Sequence, residues 1–129
     1  MRVLLDTHTF YWWIYFPELL PTTVRLMLSD QDVTVLVSAV SAYEMSYKHH
    51  RGNWPEIAGL VAAFEQVVIA EGFKLFPLTA QHAVRAGAFP REHRDPFDRM
   101  LVAQAMVEGM ALVSKDKWLG AIGAEVVWG

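Results

Sequence analysis

The stretch Arg2-Val3-Leu4-Leu5-Asp6-Thr7-His8-Thr9 runs from a short apolar strand, through one acid, into the start of a helix. The order of apolar strand and following helix recurs along the chain. Such alternation predicts an α/β fold with a mainly parallel sheet. The predicted strands are Arg2–Asp6, Val33–Val37, Phe73–Phe76, Met110–Ser114 and an edge strand, Glu125–Trp128.

The segments between these strands carry helix start and stop signals, such as Pro in a first turn and Gly just past an end. They predict helices over Thr7–Ile14, from a cap at Thr22 or Thr23 through Leu28, from Ser41 to near Gly52, from Pro55 to about Ala70, from a cap at Thr79 to about Ala88, over Asp95–Glu108 and, as a single turn, over Lys115–Leu119.

Composition restricts the class of protein. A length of 129 residues with 53% hydrophobic content predicts one folded domain, residues 1–129, with apolar surface to spare for a protein partner. The absence of cysteine excludes disulfides and thiolate chemistry. A net charge of −3 argues against binding nucleic acid by bulk charge. With no signal-peptide pattern and no apolar run of about 20 residues, the chain is expected to be cytoplasmic, without a membrane partner.

Four acids fall where a predicted strand gives way to a helix: Asp6, Glu44, Asp98 and Asp116. In an open parallel sheet the carboxyl ends of the strands point to one edge, where ligands bind. Carboxylate oxygen and water are the ligands that Mg²⁺ prefers, and Mn²⁺ accepts the same set. If the four acids meet at that edge, the chain binds a divalent cation.

Each acid also has a structural explanation. Glu44 fits a capping box with Ser41, Asp95 and Asp98 fit a helix start, and Asp116 could face the positive end of a helical turn. Asp6 differs, because a carboxylate directly after a buried strand is costly without a partner. Two carboxylates about 6 Å apart repel by about 3 kcal/mol at an effective dielectric of about 20. A cluster of them therefore requires protons or a cation.

Four blocks of the chain carry a family resemblance. They are residues 4–8 with Trp12-Trp13, residues 38–44 followed by Lys48 and Gly52, residues 93–105, and residues 112–116. Together they resemble the PIN-domain ribonucleases, and specifically the VapC-like toxins of type II toxin–antitoxin pairs. Tyr43 stands where many relatives have Trp, and Ser114 where Thr is common.

The resemblance implies a PIN-like fold in which the acidic blocks meet at one end of the sheet. It assigns metal binding and catalysis to Asp6, Glu44, Asp98 and Asp116, while Asp95 is interpreted as a helix cap. It implies an endoribonuclease that uses Mg²⁺, or Mn²⁺, to hydrolyse RNA to products with a 5′-phosphate and a 3′-hydroxyl. It further implies a toxin that forms a homodimer or a larger assembly with a cognate antitoxin, which lays a segment over the acidic pocket.

Other side chains are given supporting roles. Arg94 and Arg99 are candidate RNA contacts, and Ser38 is a candidate hydrogen-bond partner of a metal ligand. Lys48 forms a helical pair with Glu44 if the segment is helical. The five histidines show no metal-binding pattern, although His8 could touch the pocket.

Two non-enzymatic interpretations remain as alternatives. A signalling receiver is also a small parallel α/β domain with Mg²⁺ at the strand ends, but it needs paired acids after the first strand, where Asp6 stands alone. Lys115 is its only partial match. A dimerisation module with surface caps explains each acid separately, but not their order along the chain.

Overall fold

A computed structural model describes residues 1–92 and 94–129; His93, which belongs to the third block, lies outside the described residues. The core is a five-stranded sheet in the order β3-β2-β1-β4-β5, and every pairing is parallel. The predicted α/β class and parallel sheet are confirmed. The strands are β1 Arg2–Leu5, β2 Thr34–Ser38, β3 Lys74–Phe76, β4 Ala111–Val113 and the edge strand β5 Val126–Val127.

Helices cover both faces of this sheet. They are α1 Thr7–Tyr15, α2 Thr22–Ser29, α3 Ala39–His50, α4 Ala58–Ala62, α5 Phe64–Ala70, α6 Ala80–Gly87, α7 Pro96–Glu108 and α8 Trp118–Ile122, with 3₁₀ turns at Pro17–Leu19 and Pro55–Ile57. No helix of the described residues is long and apolar enough to cross a membrane.

The apolar side chains of β1 alternate between two cores. Val3 and Leu5 belong to a cluster with Phe10 on one face, while Leu4 belongs to a cluster with Leu101 on the other. All three strand residues are fully buried. A strand covered on both faces needs apolar side chains at every position, which is why this segment is continuous in Val and Leu.

Two predicted helix boundaries are confirmed in detail. Thr79 caps α6 by accepting from the His82 N–H at 3.2 Å, and the His82 ring accepts from the Thr79 N–H at 3.0 Å. Gly109 ends α7 with a φ of 65°, a left-handed conformation that favours glycine. Both signals are local, so the sequence carries them directly.

Other predicted boundaries are wrong. α2 begins after Pro21 without a side-chain cap, so neither Thr22 nor Thr23 caps it. The single helix predicted over 55–70 is interrupted at Ala63, where φ is −128° and ψ is 35°. The apolar spacing continues across that break and all of its buried residues join one core, which is why the pattern resembles one helix.

The turn predicted over Lys115–Leu119 begins later, at Trp118. The Asp116 carboxylate accepts from the Trp118 N–H at 2.9 Å, which keeps residues 115–117 outside the helix.

Candidate active site

The four predicted acids line one cleft at the carboxyl edge of the sheet. β1 lies between β2 and β4, with Leu5 opposite both Val37 and Val113, so the three strands end at the same level. The loops and helices that follow them form a cleft of about 420 Å³. Its acidic side chains are Asp6, Glu44, Asp95, Asp98 and Asp116. We call this cavity the acidic cleft.

Asp6 sits at the junction of β1 and α1. One carboxylate oxygen accepts from the Thr9 N–H at 2.8 Å, which caps α1, and the other accepts from the Ser114 hydroxyl at 2.5 Å. Burial raises the pKa of Asp6 above its ordinary range, while the bonds from Ser114 and Thr9 oppose that rise. The carboxylate is thus held by one donor from α1 and one from the residue after β4, while burial disfavours its charged form.

Glu44 lies on α3 and is 4% exposed. Its carboxylate accepts from the Thr7 hydroxyl at 2.6 Å and from the Lys48 ammonium one helical turn later. The predicted pair with Lys48 is confirmed. The capping-box interpretation with Ser41 is wrong, because α3 begins earlier, at a cap formed by Ser38, and Ser41 instead bonds to Thr7.

Asp98 lies in the first turn of α7. The Asp95 side chain accepts from the backbone N–H groups of Phe97 and Asp98, so the interpretation of Asp95 as the helix cap is confirmed. The pKa of Asp98 is raised to about 7, first by burial and then by the negative charges of Asp95, Glu44, Asp6 and Asp116. Carboxylates from four separate segments therefore act on one another electrostatically.

Asp116 is exposed at the mouth of the cleft. Its N–H donates to the Ser114 hydroxyl at 3.0 Å, and the same hydroxyl donates to Asp6. Ser114 thereby connects two of the acids. In the sequence, Ser114 stands out only as a position where Thr is common in the family; in the structure, Ser114 and Thr7 orient the carboxylates.

Basic and aromatic side chains complete the wall. Lys48 and Lys115 reach the cleft, as do His8 and Trp12. The Lys115 ammonium lies 5.9 Å from the centre of the Trp12 ring, and the His8 ring stacks on Trp54 with centroids 5.2 Å apart. Five carboxyl groups against two ammonium groups leave the cleft with excess negative charge when all are ionised.

The donor set of the cleft fits a hard divalent cation. Carboxylate oxygens are ligands that Mg²⁺ and Mn²⁺ prefer, and a cation offsets the repulsion that adds to burial in raising the pKa of Asp98. Among residues 1–92 and 94–129, no three acidic or histidine side chains stand close enough to form a ready coordination shell.

Ser38 has a different role from the predicted one. Its hydroxyl caps α3 through the Val40 N–H and donates to the Gln104 side chain at 2.5 Å. The assignment of Ser38 as a partner of a metal ligand is corrected, since Thr7 and Ser114 make the bonds to the carboxylates. The residue types alone do not distinguish these hydroxyls.

Arg99 supports the connection between α6 and α7. Its guanidinium donates to the carbonyl oxygens of Ala86, Gly87, Phe89 and Pro90 at 2.7 to 3.3 Å. Arg94 is exposed. RNA contact by either arginine stays a prediction.

The parallel sheet and its acidic edge define the class of protein: the chain belongs to the PIN domain family, whose model matches residues 3–124. It is 30% identical over 118 residues to Ribonuclease VapC22 of Mycobacterium tuberculosis. The aligned residues cover 91% of this chain and 88% of that relative.

Two solved structures share the fold. One is VapBC2 from Rickettsia felis bound to a DNA fragment from its promoter, with a TM-score of 0.72, 15% identity and full coverage of both chains. The other is FitAB bound to the IR36 DNA fragment, with a TM-score of 0.60, 20% identity and coverage of 97% of this chain and 93% of that one. At these identities the likeness concerns the fold.

Proposed function

We propose that this protein is a metal-dependent endoribonuclease and the toxin of a toxin–antitoxin pair. One observation carries the proposal: Asp6, Glu44, Asp98 and Asp116 come from four segments and share one cleft, in which burial and then the neighbouring negative charges raise the pKa of Asp98 to about 7. Such a cluster is costly unless protons or a cation compensate it. The relative named Ribonuclease VapC22, alignable over 91% of the chain, supports RNA as the substrate.

The residues of the acidic cleft would have different roles in the reaction. Asp6, Glu44 and Asp98 would hold Mg²⁺ or Mn²⁺, and Asp116, at the mouth, would hold a second ion or orient the attacking water. Bound divalent ions polarise a scissile phosphate and lower the pKa of a water nucleophile. Thr7 and Ser114 keep Glu44 and Asp6 in fixed orientations through hydroxyl bonds. Lys48 and Lys115 line the same cavity, where their positive charges can bind phosphate oxygens.

The first experiment compares purified wild type, Asp6→Asn and Asp98→Asn in cleavage of total RNA with Mg²⁺. Loss of a charged ligand is expected to reduce the rate by at least about 100-fold, the scale of removing one electrostatic contact to a reacting group. Asp32→Asn is the matched control, because Asp32 is exposed and lies just before β2, at the edge of the sheet opposite to the acidic cleft. Full activity of either cleft variant, or of wild type in EDTA, would refute the assignment.

A cognate antitoxin and self-association complete the proposal. VapBC2 and FitAB share this fold, and the acidic cleft offers a receptor for a basic side chain that could replace the cation. Co-expression with the adjacent small open reading frame should yield a co-purifying complex in which RNA cleavage is suppressed. A strictly monomeric protein whose activity that product leaves unchanged would contradict this part.

A further inference from the structure

Trp118 is the most exposed aromatic side chain among the described residues, with 76% of its surface accessible. It lines a second cavity of about 290 Å³, together with Pro90, Glu92, Ala121 and Ile122. We call this cavity the indole cleft. Its volume is at the lower end of the range for small-molecule sites, about 300 Å³. Nothing in the acidic cleft requires an aromatic ring at this position.

The indole cleft adjoins the acidic cleft. The Trp118 backbone N–H donates to the Asp116 carboxylate at 2.9 Å, and Glu92 lies three residues before Asp95, so residues of the two clefts are neighbours on both segments. Lys115 lines the acidic cleft, and Lys117 is exposed between Asp116 and Trp118. A phosphate chain in the acidic cleft would therefore meet the Lys115 ammonium, three residues before Trp118.

These features match the way proteins bind single-stranded nucleic acid, with positive groups along the backbone and aromatic faces against the bases. We propose that Trp118 stacks on a base of the substrate RNA next to the scissile phosphate, with the indole cleft as the base subsite. The proposal rests on the ribonuclease function proposed above. Pro90, Ala121 and Ile122 supply apolar walls, and the Glu92 carboxylate can accept from an amino group of the base.

A nucleobase suits this cleft better than a protein side chain because of the position of the cleft. An RNA strand whose phosphate lies in the acidic cleft, beside Lys48 and Lys115, carries its next base close to the Trp118 ring. A single aromatic face with apolar sides accepts any base, so the contact adds affinity with little sequence preference.

The test measures kcat and KM on a 16-nucleotide single-stranded RNA that spans a position cleaved by the wild type in total RNA. Trp118→Ala is expected to raise KM by about 5- to 100-fold, as for loss of one base–aromatic stack, with kcat nearly unchanged. Trp118→Phe should retain most of the affinity, and Trp118→Leu should resemble Trp118→Ala. Each variant keeps the backbone N–H that bonds to Asp116. Leu26→Ala, at a side chain that is 66% exposed on α2, is the matched control.

Abasic substitution locates the contact. Removing one base of the RNA should raise the KM of the wild type by the same factor as Trp118→Ala, with no further rise when both changes are combined.

An unchanged KM in Trp118→Ala, or full rescue by Trp118→Leu, would overturn the proposal. The proposal would also be overturned if Trp118→Ala escaped inhibition by the co-expressed antitoxin while its KM for RNA stayed unchanged. A protein partner would then occupy the indole cleft. If the wild type cleaves no RNA, the ribonuclease function itself fails, which is a distinguishable result.

Discussion

At the scale of single residues, the acidic cleft is built by pairing each buried carboxylate with a nearby donor. Asp6 takes a hydroxyl from Ser114, and Glu44 takes one from Thr7. These bonds orient the oxygens and favour the charged form, while burial opposes it. Burial, and after it the charges of the neighbouring acids, raises the pKa of Asp98 to about 7.

The raised pKa of Asp98 predicts a pH dependence of stability in metal-free buffer. The folded state keeps a proton up to about pH 7, whereas the unfolded chain releases it near pH 4. Between these values the folded state binds more protons, so the free energy of unfolding contributed by this group falls as pH rises. Asp98→Asn cannot ionise and should lose less thermal stability than wild type between pH 4 and pH 7.

Thermal melts of both proteins across that range, with Asp32→Asn as a control that should follow wild type, measure the difference. Parallel curves for wild type and Asp98→Asn would show that the pKa of this carboxyl group is not raised in the folded protein.

At the scale of elements, local signals end and begin the helices that carry the site. α7 starts at the Asp95 cap, which places Asp98 in its first turn, and ends at Gly109 in a left-handed conformation. The Gly109 N–H and the following Met110 N–H bond to the last turn, and β4 begins one residue later. This short connection positions Ser114 and Asp116 against β1.

Gly109→Ala should lower the free energy of unfolding by about 1 kcal/mol, because a side chain at a φ of 65° is strained although no atom lies within 4 Å of it. Gly59→Ala is the matched control: it lies in α4, also with open space around it. That change should stabilise the protein by roughly 0.5–1 kcal/mol. Urea denaturation of the two variants checks the opposite signs, and equal effects would contradict the backbone explanation.

At the scale of the whole molecule, the sheet order brings the site together. Placing β1 between β2 and β4 joins Asp6 to a Ser114 that lies 108 residues later. Two cores, one on each face, clamp these central strands. The packed strands therefore keep the acids close together in the folded state. A cation that binds between them binds the folded state only, and so stabilises the fold.

Mg²⁺ should raise the melting temperature of the wild type, by the equivalent of about 1.4 kcal/mol at a concentration ten times its dissociation constant. The rise should be absent or much smaller in Asp98→Asn. Control melts in NaCl of equal ionic strength are needed, because salt also screens the repulsion between exposed acids. An equal rise in both proteins would show that the ions bind elsewhere.

The sequence by itself determined the order of strands and helices, the caps at Thr79 and Asp95 and the stop at Gly109, and the family resemblance indicated the four acids that line the cleft. The element order, the caps and the stop follow from periodicity and capping within a few residues, so they can be predicted without knowledge of the tertiary structure. Only the tertiary structure decided that Thr7 and Ser114, rather than Ser38, bond to the carboxylates, that the helix predicted over 55–70 is interrupted, and that Trp118 faces a cavity beside the site. Each of these depends on which strands lie side by side and which helices pack over them, and spacing along one chain does not specify distances between segments.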